Sequence, residues 1–151
     1  MREICYEGAP VLLATAAPVS KFDDALGHLI RDMFETMYAA PGRGLAAPQV
    51  GVSQRVFVVD TKWKEADPES MLFVNPRIAT QADTQIDGEE ACLSIPDKRF
   101  RVSRPAWVEL VWQDLDGVVQ KGRFEGMKAV CICHELDHLN GILITKSGMQ
   151  L

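Results

Sequence analysis

The stretch that most constrains this chain is CHELDHLNG, residues 133–141, which contains two of the three histidines. His134 and His138 are four residues apart, so on a helix both imidazoles lie on one face and can direct nitrogens at one cation. Glu135 lies about 100° around the helix from His134, too far round to be an equivalent ligand but near enough to reach a water on the cation. The pattern predicts a metal-binding helix. The alternative is one buried and one exposed histidine beside an ordinary surface glutamate.

A catalytic ion also needs a third protein ligand and an open position. Cys92 is the preferred candidate, because EEACLSIP places it between charged, turn-like residues and an apolar stretch. His28 lies on a predicted helix whose apolar face is elsewhere, so we expect it to face solvent. Cys131, Cys133 and Cys5 are expected to be small buried apolar residues. The sequence therefore favours a site of one thiolate and two imidazoles.

Composition predicts a single globular domain over residues 1–151. The chain is 47% hydrophobic and 25% charged, which suits one sizeable core. Its formal net charge of −5, with scattered basic residues, argues against nucleic-acid binding and favours small molecules or peptides as partners. No apolar run approaches a membrane span, and the apolar segment 9–19 lacks the basic start of a signal sequence. We expect a cytoplasmic monomer with reduced cysteines and no membrane contact.

The first half of the chain predicts one amphipathic helix. It is expected to begin near Ser20, because Ser20 and Asp23 resemble a capping pattern, and to end at Pro41-Gly42. Its apolar face consists of residues spaced by four, three and four: Leu26, Ile30, Met33 and Met37.

The remaining segments predict several antiparallel strands and a late helix. Strand-like runs begin at residues 55, 71 and 106: RVFVVD, MLFVNPRIA and AWVELVWQD. Asp116-Gly117 predicts a hairpin turn after the third run. The second helix is predicted from near Glu125 through His138, closing at Asn140-Gly141. This order of elements indicates an α+β fold.

The glycine-rich segment GRGLAAPQVG, residues 42–51, permits a close approach of main chain to another group, and Ala46 and Ala47 leave room for it. It lacks the spacing and the lysine of a phosphate-binding loop. Gln49 is its notable residue, because an uncharged amide can donate to an oxygen that gains negative charge. The alternative is a glutamine that bonds local backbone.

Three segments resemble, in this order, the signature motifs of the peptide deformylase family. The segments are GRGLAAPQ, EACLS and HELDHL. The corresponding family motifs are GhGhAAxQ, EGChS and HEhDHh, where h is apolar. The resemblance extends from PVLLATAAPV to HLNGIL and so covers nearly the whole chain. It implies antiparallel sheets packed around a central helix that carries HExxH. It also implies a hydrolase that removes the formyl group from formyl-methionine of nascent polypeptides and releases formate.

The same resemblance implies roles for individual residues. The implied metal ligands are Cys92, His134 and His138. Fe(II) is the implied physiological metal, and Zn(II), Ni(II) or Co(II) could occupy the site. Glu135 is implied as the general acid and base, and Gln49 with the Leu93 backbone N–H as the oxyanion donors.

Four residues are implied to border the substrate: Arg43, Gly44, Ala91 and Val130. Arg43 replaces an apolar residue of the family pattern, and a cation there would narrow the pocket or favour an acidic neighbour in the substrate. Ala91 replaces a glycine; its Cβ costs about 1 kcal/mol if the position needs a positive φ, and otherwise crowds the cleft. Asp137 is expected to face away from the metal and pair with Arg104.

These departures leave a second interpretation open, a catalytically altered or inactive paralogue that binds metal and a peptide N-terminus. An endopeptidase of the HExxH type is disfavoured, because a cysteine ligand on a separate segment does not fit its usual third ligand. Thirteen residues follow His138, fewer than in family members whose C-terminal helix docks on the ribosome, so ribosome docking is not expected.

Overall fold

The fold is α+β, as predicted, and the computed structural model describes residues 1–151. The strands are β1 (Gly44–Ala46), β2 (Val56–Val59), β3 (Met71–Gln81), β4 (Gln85–Cys92), β5 (Ile95–Pro105), β6 (Trp107–Gln113), β7 (Val119–Glu125) and β8 (Met149–Gln150). The helices are α1 (Asp24–Ala39), α2 (Gly126–Leu139) and α3 (Ile144–Ser147), with two 3₁₀ turns at Pro10–Leu13 and Ala47–Val50.

The strands form two antiparallel sheets. One sheet has five strands in the order β1-β2-β3-β6-β7, and the other has three in the order β4-β5-β8. The predicted hairpin joins β6 to β7, and Gly117 in its turn has a φ of 80°, a value that glycine adopts without strain. The three predicted strand segments are confirmed as β2, β3 and β6.

Helix α1 confirms the predicted amphipathic helix but begins later than the sequence suggested. Asp23 is the N-cap, and its carboxylate accepts the Leu26 N–H at 3.1 Å, so the helix starts at Asp24 rather than near Ser20. The predicted apolar face is buried against the larger sheet. His28 is exposed, as expected.

Helix α2 lies between the two sheets. Successive residues of β2 point to opposite faces, so Val56 and Val58 pack toward α1 while Phe57 and Val59 pack toward α2. The other side of α2 contacts β5 of the smaller sheet. The helix ends at Leu139, close to its predicted end. The residues of the HExxH pattern thus lie between two antiparallel sheets.

Four strands, β1, β4, β5 and β8, were not predicted. β1 and β8 have only three and two residues. Charged side chains interrupt β4 and β5, so neither shows a clean alternation of apolar and polar residues. None of the helices combines the length and the apolarity needed to cross a bilayer. All four cysteines are free thiols in the fold, as expected.

Candidate active site

The three predicted metal ligands come together where the end of β4 meets α2. Cys92 is the last residue of β4, and His134 and His138 project from one face of α2. The sulfur and one nitrogen of each imidazole all lie within 4.8 Å of one another, and Cys92 Sγ is 3.4 Å from His138 Nε2. All three side chains are buried. A thiolate with two imidazoles suits a divalent transition metal and leaves a coordination position open.

A buried oxygen beside this cluster supports the fit of a cation. Glu135 Oε1 has no hydrogen-bond partner in the protein, although the residue is only 4% exposed. Buried polar atoms without a hydrogen-bond partner are rare. One that lies in a cleft indicates a group that forms its hydrogen bond only when the site is occupied. The residues present could therefore hold a divalent cation with a water next to Glu135.

Glu90 orients one of the two imidazoles, a role that the sequence did not suggest. Its Oε1 lies 2.9 Å from His134 Nδ1, so the carboxylate can accept from that nitrogen and leave Nε2 for the cation. Burial alone would raise the pKa of Glu90, but Arg104 and then His134 lower that pKa to about 2. Glu90 therefore remains a carboxylate at neutral pH.

Arg104 completes a buried charge network behind the ligands. It donates from Nε and Nη2 to the two oxygens of Glu90, each at 2.9 Å, and from Nη1 to Asp137 Oδ2 at 2.7 Å. The pairing of Arg104 with Asp137 is confirmed. The bidentate geometry fixes the plane of the Glu90 carboxylate and, through it, the His134 ring.

Glu135 has a carboxyl suited to exchanging protons near neutral pH. Burial raises its pKa most, the neighbouring His134 lowers it, and the balance is a pKa of about 7. A general acid or base works best with a pKa close to the working pH. Gly44 makes room for this carboxyl, because a Cβ at position 44 would lie 2.5 Å from Glu135 Oε2.

Two N–H donors flank Cys92. Gln49 Oε1 accepts the Ala46 N–H at 3.0 Å, which turns Nε2 toward Ser94 Oγ at 3.0 Å and Cys92 Sγ at 3.7 Å. The backbone N–H of Leu93 has no acceptor among the protein's own groups. Both donors are therefore held beside the predicted ligand set. Ser94, which is fully buried, is a further site residue that the sequence did not single out.

The site opens into a cleft of about 1060 Å³, and all four predicted substrate contacts line it. Ala91 does not have a positive φ, so its Cβ introduces no backbone strain and only adds bulk. Val130 lines the cleft from α2. Cys131 also lines the cleft, and both Cys131 and Cys5 are only partly buried, which corrects the expectation that they are buried; Cys133 is buried as expected. Burial nevertheless raises the pKa of Cys131 to about 12, so it stays a thiol.

Chemically, this arrangement can hydrolyse a small amide. Hydrolysis needs a group that exchanges a proton with water and donors that stabilise the oxyanion, and both lie beside residues that could hold a Lewis acid. The fold and the site together define a metal-dependent amide hydrolase.

Comparison with known proteins narrows this class. The sequence model of the family described as polypeptide deformylase matches residues 1–150. A peptide deformylase of Brucella suis is 48% identical over 135 residues, which are 89% of this chain and 77% of the relative. The chain belongs to the polypeptide deformylase family, whose members are metal-dependent.

Solved structures show the same similarity. The crystal structure of peptide deformylase from Thermotoga maritima superposes with a TM-score of 0.93 at 39% identity, covering 97% of each chain. A class I type b peptide deformylase from Acinetobacter baumannii, with Met-Ala-Ser bound, has a TM-score of 0.90 at 35% identity and also covers 97% of each chain. The likeness therefore extends over the whole fold.

Proposed function

We propose that this enzyme removes the formyl group from the N-terminal formyl-methionine of nascent polypeptides and releases formate. The observation that carries the proposal is the buried cluster of Cys92, His134 and His138 with the Glu135 carboxyl beside it. The Met-Ala-Ser peptide bound by the Acinetobacter baumannii relative supports a ligand that begins with methionine.

Cys92, His134 and His138 would hold one divalent cation. We assign Fe(II) as the native metal, as the resemblance to the peptide deformylase family implies. Zn(II), Ni(II) or Co(II) could also occupy the site, since a mixed thiolate and imidazole set accepts all of these ions. When bound, the cation lowers the pKa of a water toward about 7 and polarises the formyl carbonyl. The Glu90 carboxylate keeps the His134 ring in the orientation that binding requires.

Glu135 moves the proton. It takes a proton from the water as the water oxygen adds to the formyl carbon, and it returns that proton to the methionine nitrogen as the C–N bond breaks. Because burial brings its pKa to about 7, the same carboxyl can perform both transfers. The products are a free methionine amine and formic acid, which ionises to formate by releasing the second proton of the water.

Gln49 and the Leu93 N–H stabilise the oxygen that gains negative charge. The Ala46 N–H holds Gln49 Oε1, so the amide cannot turn its acceptor toward the site. One N–H of Gln49 Nε2 donates to Ser94 Oγ. The other N–H makes a long 3.7 Å contact with Cys92 Sγ and is free to donate to the oxyanion. Removing such a donor typically costs about 100-fold or more in rate.

The cleft supplies the binding groups. We assign Val130 to the pocket for the methionine side chain and Arg43, Gly44 and Ala91 to the rim along which the peptide lies. The family match over residues 1–150 supports a single domain, and one chain contributes every site residue, in keeping with a monomer. The four free thiols are typical of a cytoplasmic enzyme.

The decisive assay measures formate from formyl-Met-Ala-Ser with the Fe(II) or Ni(II) protein. We expect turnover, no reaction with acetyl-Met-Ala-Ser, and a loss of about 100-fold or more in Glu135→Gln with metal content unchanged. Absence of formate from any formylated peptide would refute the proposal. No observation favours an inactive paralogue, because every predicted catalytic group is present and Ala91 is unstrained.

A further inference from the structure

The loop between β2 and β3, residues 60–70, borders the cleft through Lys64 and is firmly anchored. Asp60 is fully buried, and its carboxylate accepts the Tyr38 hydroxyl at 2.6 Å and three backbone N–H groups of the loop. The Trp63 indole N–H donates to Gly42 O at 2.9 Å. These bonds fix the loop against the segment that carries Gly42, so the backbone that carries Lys64 has a defined position beside the cleft.

Arg43 does not present a free charge to the cleft. Its guanidinium donates to both carboxylate oxygens of Glu65 and also to Thr61 O at 2.6 Å. The positive charge of Arg43 is thus matched by the negative charge of Glu65. The substitution of an apolar residue by Arg43 therefore narrows the rim without adding an unpaired cation.

Lys64 is different, although it is the immediate neighbour of Glu65. Its side chain is exposed and lines the cleft, and no carboxylate oxygen lies within 4.0 Å of its ammonium. The ammonium lies 5.6 Å from the centroid of the Trp63 ring, which holds it near the anchored part of the loop. Because Arg43 engages both oxygens of Glu65, Lys64 makes no ion pair, and the two cations of this segment share a single carboxylate.

The opposite wall is balanced in charge. There Arg99 pairs with Glu89 at 3.3 Å, and Lys98 directly follows Asp97, with both side chains exposed and both lining the cleft. Lys98 has no ion pair, but the two cations of that wall are matched in number by two carboxylates.

We infer that Lys64 is a specificity-determining residue that favours formyl-methionine peptides with aspartate or glutamate downstream of the methionine. Arg43 contributes indirectly, by engaging Glu65 and so preventing it from pairing with Lys64. This inference rests on the proposed function and adds the substrate class that the cleft prefers. Because Lys64 is exposed, the preference is modest, about two- to five-fold in kcat/KM, as for other exposed ion pairs.

The test compares kcat/KM for formyl-Met-Xaa-Ser and formyl-Met-Ala-Xaa peptides in which Xaa is glutamate, glutamine or lysine. The wild-type enzyme should favour glutamate over lysine at one or both positions. The ratio should approach one at an ionic strength of about 1 M, where the Debye length is about 3 Å.

Substitutions separate Lys64 from its neighbours. Lys64→Gln should remove the preference and Lys64→Glu should reverse it, while Glu65→Gln should strengthen it about two-fold because Arg43 then also becomes unpaired. Lys121→Glu is the matched control, since Lys121 is exposed but does not line the cleft, and it should leave the ratio unchanged.

Two results would overturn the inference and are distinguishable from each other. Equal glutamate-to-lysine ratios in the wild-type enzyme and in Lys64→Gln, with good turnover of the glutamine peptides, would refute the role of Lys64 alone. Absence of turnover on the glutamine peptides would refute the proposed function itself and this inference with it.

Discussion

Two groups of charged side chains flank the cleft, and they differ in burial. Behind the predicted metal ligands, Glu90 and Arg104 are only 6% and 7% exposed and share a bidentate pair. At the rim, Glu65 is 64% exposed although Arg43 engages both of its oxygens. A buried charge without its partner is costly, whereas an exposed one is stabilised by water.

The difference separates two tasks. The buried Glu90 carboxylate fixes the His134 ring and therefore one ligand of the proposed metal site. The rim charges can change with little effect on the fold, so they are free to adjust which peptides bind. The predictions below test this division, from the largest expected effect to the smallest.

Removal of the buried guanidinium should have the largest effect. Arg104→Met leaves the Glu90 carboxylate buried without its main partner and should lower the free energy of unfolding by about 3–5 kcal/mol. Arg99→Met, on the same strand but in an exposed pair with Glu89, should lower it by about 0.5 kcal/mol at most. Urea denaturation measures both. Equal effects of the two substitutions would show that burial does not distinguish the two groups.

Gly44 lies where the rim meets the Glu135 carboxyl, which we propose is the catalytic acid and base. In Gly44→Ala the new Cβ would displace Glu135, because the position it needs is 2.5 Å from Oε2. We expect kcat on formyl-Met-Ala-Ser to fall about 100-fold, a typical result of misplacing a reacting group by about 1 Å. Gly88→Ala, where no atom lies within 4 Å of the new Cβ, is the control and should keep wild-type activity. Full activity of Gly44→Ala would contradict this account of Glu135.

Substitution of Asp60 tests whether a buried carboxylate stabilises the loop between β2 and β3, residues 60–70. Burial alone would raise the pKa of Asp60, but the Tyr38 hydroxyl and three backbone N–H groups hold that pKa below its usual value. A carboxyl with a lowered pKa adds stability above its unfolded pKa, here 3.8, and this stability is lost as the pH falls through the folded value.

Asp60→Asn should therefore lower the free energy of unfolding by about 1–3 kcal/mol at pH 7. The difference from the wild-type protein should shrink as the pH falls below about 4. Thermal or urea unfolding across this pH range measures the difference. A difference that is constant with pH would show that the Asp60 charge is not what stabilises the loop.

Arg43→Leu should have the smallest effect on stability. It restores the apolar residue of the family pattern and removes an exposed ion pair, so the free energy of unfolding should change by less than about 1 kcal/mol. The variant should also lose the preference for acidic peptides, because Glu65 can then pair with Lys64. A large loss of stability would show that Arg43 contributes to the fold as the buried charges Glu90 and Arg104 do.

The sequence predicted the residues whose relation is local. His134, Glu135 and His138 lie within one turn and a half of a helix, so their common location follows from helical geometry. Cys92 and Gln49 are distant in sequence. Cys92 was linked to that helix by the need for a third ligand and by its local sequence, whereas Gln49 was linked to it only by the resemblance to a family. The fold class followed from the order of clear helical and strand patterns.

Glu90 and Ser94 were missed for a physical reason. Because β4 and β5 are rich in charged residues, the segment around Cys92 was not recognised as part of a hairpin, and Glu90 resembled the exposed Glu89 next to it. In a strand, residues two apart share a face, so assigning β4 would have placed Glu90 on the same face as Cys92. The partner Arg104 is fourteen residues away, on the neighbouring strand.

The most direct test of the division between the two groups is metal affinity. Glu90→Gln and Glu65→Gln each replace one carboxylate by an amide of similar shape, and the dissociation constant for Zn(II) can be measured by competition with a chelator. We expect Glu90→Gln to weaken binding about 10- to 100-fold and Glu65→Gln to leave it unchanged. Equal dissociation constants for the two variants would contradict the claim that the buried charges hold the metal site while the rim charges do not.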